Sequence, residues 1–337
     1  MREALLYEKL EDGKVSCFLC SHRCLIGDGK YGICNVRENR GGTLYTHSYG
    51  ELIAQNIDPI EKKPLYHFLP GSASYSIATI GCNFQCSFCQ NWEISQAREA
   101  ERLGLRGRKA EPSEIVNRAV QSGSKSISYT YTEPTIFFEY ALDVSRLAKE
   151  KGLYNVFVTN GYMTGEMLEA MHPLLDAANV DLKSFSKDFY RRFCKGNLDP
   201  VLRNIEKMKK LNIWVEVTTL VVPGLNDSDA EFDGIAGFIA GIDKAIPWHI
   251  SRFHPQYKME DHASTPMQTM GRALAAGRKA GLHYVYLGNV MSRWNHTYCH
   301  RCDECLVERT GFSIASYRIK DGKCPFCGSA VAGVGLG

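Results

Sequence analysis

The chain is predicted to be an α/β protein: a parallel sheet, curled partly or fully into a (β/α) barrel, with a small cysteine-rich metal module at each end. Three observations carry that expectation. From residue 71 to residue 291, short apolar segments alternate with helical ones. Polar residues and cysteines recur where the strands end, the edge at which such folds gather ligands. Twelve of the 13 cysteines fall into three groups, one before, one inside and one after the alternating region. An open doubly wound sheet is the alternative architecture.

The elements follow in order. The first region, residues 1–70, holds Cys17, Cys20, Cys24 and Cys34, with Gly27, Gly29 and Gly32 allowing tight turns between the last two. Asp58 to Leu65 reads as an irregular connector. The central region, residues 71–291, opens on a strand from Tyr75 to Ile80, and the Cys82 loop follows it. Glu111 to Gln121 reads as a helix, with Pro112 near its start and Gly123 past its end. Ser126 to Tyr131 is a strand, and Thr135 to Lys151 has a helical apolar period stopped by Gly152. Strands are expected at Asn155–Val158 and Asn179–Leu182, then a helix to about Leu211 with Asp199 as N-cap and Pro200 first in the helix. Trp214–Val222 and Trp248–Phe253 are strands, Met267–Ala280 a helix and Tyr284–Leu287 the last strand. Gly161 and Gly224 read as turn glycines.

Composition narrows the function classes. The 337 residues are 44% hydrophobic and 23% charged, enough for a real core. A net charge of +3 gives no support for a broad nucleic-acid surface. Met1 to Glu8 holds no apolar leader, and no stretch approaches about 18 unbroken apolar residues, so a cytoplasmic location without membrane contact is expected. Grouped cysteines in such a chain read as metal sites rather than disulfides.

Cys82, Cys86 and Cys89 stand on a loop after an apolar strand. Three local thiols can hold three irons of a four-iron cluster and leave the fourth open to a small molecule. The bland reading is a structural zinc site or buried thiols, but no partner pair for a zinc site lies near in sequence. Cys17, Cys20, Cys24 and Cys34 suit a structural zinc, a mononuclear iron or a second cluster, and His22 could replace one thiolate. Cys299, Cys302, Cys324 and Cys327, in residues 292–337, have the paired-knuckle spacing of a zinc ribbon, with Cys305 to spare. Arg293, His296, His300 and Arg301 are too few for a basic patch. His254 reads as a substrate contact or a satisfied interior histidine, and Cys194 as a buried small residue.

The C-x3-C-x2-C spacing after the first strand, with Phe88 before the third cysteine, resembles the radical S-adenosylmethionine (SAM) superfamily. Ile57 to His67, Gly81-Cys82-Asn83 and Cys89-Gln90-Asn91-Trp92 look more narrowly like the AmmeMemoRadiSam radical SAM enzymes, which are similar to pyruvate formate-lyase activating enzymes. The resemblance implies a barrel of the radical SAM type and a [4Fe–4S] cluster on Cys82, Cys86 and Cys89. It implies an oxidoreductase that cleaves SAM reductively to a 5′-deoxyadenosyl radical, which takes hydrogen from a substrate. Glu133, in Tyr131-Thr132-Glu133-Pro134, stands where relatives have Gly-Gly-Glu-Pro and would accept from the methionine amino group. Its bland role is that of a helix N-terminal carboxylate before the Thr135 helix, stabilised by the helix dipole. Asn160, Asp181 and Lys183 are candidates for ribose and carboxylate contacts. The implied partners are an electron donor such as flavodoxin or ferredoxin and a substrate of unread class, a protein glycine among the candidates. The competing reading is a metal-binding interaction module touching RNA, in which the cluster is only a fold element.

Overall fold

The computed structural model describes residues 1–337. Seven parallel strands form the centre: β1 (Ala73–Thr79), β2 (Ser126–Tyr129), β3 (Tyr154–Thr159), β4 (Ala177–Asp181), β5 (Trp214–Val221), β6 (Trp248–Arg252) and β7 (Val285–Gly288). Each pairs with the next in chain order, with registers such as Ser126 against Ser74 and Val217 against Trp248. Right-handed crossovers between strands in unbroken order put every connecting helix on one side of the sheet. A doubly wound sheet needs a reversal of strand order, and there is none. β7 does not pair with β1, so the barrel is partial.

The six longest helices are α1 (Pro112–Gln121), α2 (Phe138–Glu150), α3 (Gly165–Met171), α4 (Leu198–Lys210), α5 (Asp229–Ile242) and α6 (Met267–Lys279). No helix is long and apolar enough to cross a membrane. The helix expected from Thr135 starts as a 3-10 turn, Pro134–Phe137, because the Glu133 side chain caps it at the Thr135 amide. α4 begins earlier than expected, with Asn197 rather than Asp199 at its N-cap, after the left-handed Lys195. Pro200 then sits in the first turn, where a missing N–H costs nothing. α5 escapes a propensity reading because it carries Gly234, Gly237 and Gly241; Gly234 is needed where Phe185 closes on it, 2.6 Å from where a Cβ would stand.

Asp58–Leu65 is not wholly an irregular connector. Glu51–Pro59 is a nine-residue strand antiparallel to β1, followed by a 3-10 turn at Ile60–Lys62. This strand lies within residues 1–70 yet belongs to the central sheet. Exposed Asn56 and Ile57 and the terminal Pro59 hide its strand character, which edge pairing tolerates. The remaining N-terminal strands form two small three-stranded sheets, and Thr297–Tyr298, Cys305–Thr310 and Ser313–Tyr317 form another at the C-terminus.

Two buried polar junctions fasten these modules. Arg37, paired with Glu139 on α2, also donates to the Leu5 carbonyl at 2.8 Å and the Cys17 sulfur at 3.4 Å. Glu216 on β5 is fully buried and accepts from the Tyr66 and His67 amides at 3.0 and 2.8 Å, the Trp214 indole at 3.0 Å and His249 at 2.6 Å. Tyr66 and Tyr286 then pack into the C-terminal module's own small core, beside Leu306 and Val307. Truncation of Glu216 leaves several buried donors without an acceptor. Glu216→Ala is expected to lose about 3–5 kcal/mol of stability, read from the urea midpoint; a loss under about 1 kcal/mol would mean that water replaces the carboxylate.

Candidate active site and metal centres

The loop carrying Cys82, Cys86 and Cys89 leaves the C-terminal end of β1 through Gly81, whose φ of +111° suits glycine. A Cβ there would also stand 2.8 Å from Val36 of the N-terminal module. The loop is pinned from outside: the Gln85 and Ser87 amides donate to the Cys194 and Phe193 carbonyls, both at 3.0 Å. All three thiols face one cavity of about 1120 Å³. The Phe84 amide donates to Cys82 Sγ at 3.3 Å, and Ser95 Oγ lies 3.2 Å from Cys89 Sγ. Burial pushes the Cys82 and Cys89 thiols up, so a buried thiolate set needs a positive centre. Cys86 goes the other way, because the Cys194 thiol hydrogen-bonds to it and Lys183 adds positive charge. Cys194 is buried, as expected, but it is a neighbour of this site and not a bystander.

Glu133, Asn160, Asp181 and Lys183 line the same cavity, each just beyond a strand or at its end. Glu133 Oε1 accepts from Thr135 N, Thr135 Oγ1 and Thr159 Oγ1, while Oε2 accepts only from the Asn160 amide at 2.8 Å. The carboxylate therefore caps the following helix and keeps acceptor capacity on Oε2. Burial pushes its carboxyl up, against those hydrogen bonds. Asn160 Nδ2 donates to Asn83 Oδ1 at 2.7 Å and reaches Cys82 Sγ at 3.8 Å. Gly161 turns the chain at a φ of +69°, where a Cβ would meet Val180 at 2.8 Å. Lys183 pairs with Asp181 at 2.9 Å. Burial opposes its charge, yet Asp181, Cys86 and Cys194 outweigh burial and hold the ammonium well above its usual pKa.

The far side of the cavity was not legible in the sequence. His249 on β6 lines it, with Nε2 held by Glu216. Arg309, from the C-terminal module, also lines it and donates to the Tyr66 carbonyl at 3.0 Å. Lys63 lies beside Asp58 at 2.6 Å, with Tyr131 also donating to Asp58. Burial pulls the Lys63 ammonium down to about 8. Burial would raise the Asp58 carboxyl, but Lys62, Lys63 and Tyr131 hold it well below the usual carboxylate range. The one available signal for the His249 pair was Glu216, a charge inside an otherwise β-rich strand. His254 is neither a cavity residue nor interior: it is exposed, 3.4 Å from Ser264 Oγ.

The two outer cysteine sets differ in geometry. Cys299, Cys302, Cys324 and Cys327 place their sulfurs within 4.8 Å of one another, with 3.6 Å between Cys299 and Cys327 and 3.7 Å between Cys302 and Cys324. Bonds of about 2.3 Å to one tetrahedral zinc require sulfurs about 3.8 Å apart, so the set fits zinc. Cys305 stands outside it, at the start of a strand. Cys17, Cys20, Cys24 and Cys34 are neighbours that are not gathered so tightly. Burial pushes Cys20 up and Cys34 up to about 11, with mutual repulsion adding to both. His22 does not turn its Nε2 to these thiols; that nitrogen sits 2.7 Å from the Asn83 carbonyl, on the Cys82 loop.

Residues 76–235, which contain the three-cysteine loop and the Glu133 and Asn160 strand ends, match the radical SAM superfamily. An uncharacterized protein of Methanocaldococcus jannaschii is 44% identical over 335 residues, covering 98% of this chain and 99% of the relative. The pyruvate formate-lyase-activating enzyme of Clostridium pasteurianum is 24% identical over 200 residues, covering 54% of this chain and 80% of that one. The crystal structure of a radical SAM methyltransferase from Sphaerobacter thermophilus has the same fold, with a TM-score of 0.50 and 17% identity over 66% of this chain and 68% of that one. With the thiol loop after the first of seven parallel strands inside the matched residues, the chain belongs to the radical SAM superfamily as an enzyme of radical SAM type.

Proposed function

We propose that the protein cleaves SAM reductively at a [4Fe–4S] cluster held by Cys82, Cys86 and Cys89, and takes hydrogen from a glycine of a partner protein. The carrying observation is that the three thiols, Glu133, Asn160 and Lys183 face one cavity that continues to His249 and Arg309. At about 1120 Å³ it exceeds the usual few hundred to about 1,000 Å³ of a single-ligand pocket, which favours SAM plus a second molecule. When bound, cluster and cofactor supply one-electron cleavage of a carbon–sulfur bond and a carbon radical. The chain's part is to hold and orient. Cys82, Cys86 and Cys89 supply three thiolates and leave the fourth iron to SAM. Glu133 Oε2 receives the methionine amino group, while Asn160 and the Asp181–Lys183 pair serve the ribose and carboxylate.

His249, with its orientation set by Glu216, and Arg309 meet the substrate. The relative named for activating pyruvate formate-lyase supports a protein as that substrate. Flavodoxin or ferredoxin serves as the electron donor. The C-terminal thiols hold zinc and thereby fix the module that carries Arg309.

The decisive experiment is anaerobic reconstitution with iron and sulfide, then reduction in the presence of SAM and candidate partner proteins labelled with deuterium at glycine. Wild type is expected to form methionine and 5′-deoxyadenosine carrying deuterium from the partner; Cys82→Ala is expected to form neither. If both proteins lack products the reading fails, and product without partner-derived deuterium removes the glycine substrate. Glu133→Gln is expected to raise the KM for SAM about tenfold or more, from loss of a charge-assisted hydrogen bond; an unchanged KM would leave Glu133 as a helix cap only. Cys324→Ser is expected to lose one zinc per chain, measured by elemental analysis, and a Cys324→Ser protein with undiminished zinc would remove the ribbon site.

A further inference from the structure

We infer that Cys17, Cys20, Cys24 and Cys34 hold a second iron–sulfur cluster of the four-iron type, which passes electrons singly to the site at Cys82, Cys86 and Cys89. The relay rests on the function proposed above; the second cluster does not.

Two observations separate this set from the zinc ribbon. The ribbon's four sulfurs meet at the spacing of a single tetrahedral ion, whereas no three sulfurs of the N-terminal set lie within 4.8 Å of one another. A four-iron cluster attaches each thiolate to a different iron and so holds its ligands further apart than one ion does. The buried Arg37 guanidinium also donates to Cys17 Sγ at 3.4 Å, a charged contact of the kind that tunes such a centre.

The second observation is position. The N-terminal module is docked against the residues on either side of Cys82. The Cys34 carbonyl lies 3.4 Å from where a Cβ on Gly81 would stand, and Val36 lies nearer still. His22, two residues after Cys20, places Nε2 2.7 Å from the carbonyl of Asn83. The Ser21 amide donates to the Tyr162 carbonyl at 2.9 Å, and Cys20 forms a bridge with Met163, next to the Asn160 turn. One hydrogen-bonded step thus joins the two cysteine loops. The module's other side meets solvent, with Leu25, Tyr31 and Ile33 exposed beside Cys24 and Cys34. A purely structural zinc needs neither contact with the inner thiol loop nor a solvent-facing side.

The electron balance is simple. A reduced ferredoxin or flavodoxin loses one electron as the outer cluster gains it. The outer cluster is reoxidised as the inner one is reduced, and no bond or proton moves in the transfer.

The test starts from the unmodified protein, reconstituted anaerobically and analysed for iron, acid-labile sulfide and zinc. About eight irons, about eight sulfides and one zinc per chain are expected. The triple variant Cys82→Ala, Cys86→Ala, Cys89→Ala is expected to keep about half of the iron and sulfide, and adding Cys20→Ser and Cys34→Ser to remove the rest. About four irons with two zincs in the unmodified protein, or iron without sulfide in the triple variant, overturns the second cluster. A triple variant that loses all iron overturns it while leaving the inner cluster standing; one that keeps all of it supports the outer cluster and overturns the inner one. For the relay, the ratio of flavodoxin-driven to dithionite-driven 5′-deoxyadenosine formation is expected to fall at least tenfold in Cys20→Ser, Cys34→Ser; an unchanged ratio overturns it.

Discussion

A carboxylate with no access to water has to be matched donor by donor, and Glu216 is matched from three directions. Its own strand supplies the Trp214 indole, the next strand supplies His249, and the connector from the N-terminal side supplies the amides of Tyr66 and His67. Burial would raise the Glu216 carboxyl, but His249 outweighs it and keeps the group charged. That one charge fixes where the connector crosses the barrel and which way the His249 ring turns. It also brings Tyr66 under the C-terminal module, where Arg309 closes on the Tyr66 carbonyl. Tyr66, His249 and Arg309, which all line the cavity, are thus tied to the same buried group.

The cavity is a product of three pieces of chain that none of them builds alone. Parallel strands in unbroken order deliver Cys82, Glu133, Asn160 and Asp181 to one edge. The barrel stays open between its first and last strands, and the C-terminal module contributes Arg309, Thr310 and Phe312 to the cavity. The N-terminal module presses Val36 and His22 against the thiol loop from outside. Stability and site geometry are therefore linked: the buried Arg37–Glu139 pair docks the same module whose Val36 and His22 reach the thiol loop.

Much of this was written locally. Cys82, Cys86 and Cys89 are legible because cluster chemistry needs thiols at short spacing, and short spacing survives any arrangement of the rest. The strand ends at Glu133, Asn160 and Asp181 are legible because a parallel sheet sends them all to one side. His249 and His254 look alike in the sequence, because both stand on or just after one short strand and only their neighbours tell them apart. The strand Glu51–Pro59 is hidden by exposed Asn56 and Ile57 and by its terminal Pro59, and α5 by three glycines, of which only Gly234 is required by packing against Phe185.

The sequence by itself determined the family chemistry, the seven-strand alternation and the three cysteine sets, since each depends on residue type at separations of a few positions. Only the tertiary structure decided which thiol set is drawn to the spacing of one ion, that Cys194 lies against Cys86, and that Glu216 and His249 face each other across adjacent strands. Those are contacts between residues distant in the chain, and their distances are set by how strands pair and modules dock, which no local pattern encodes.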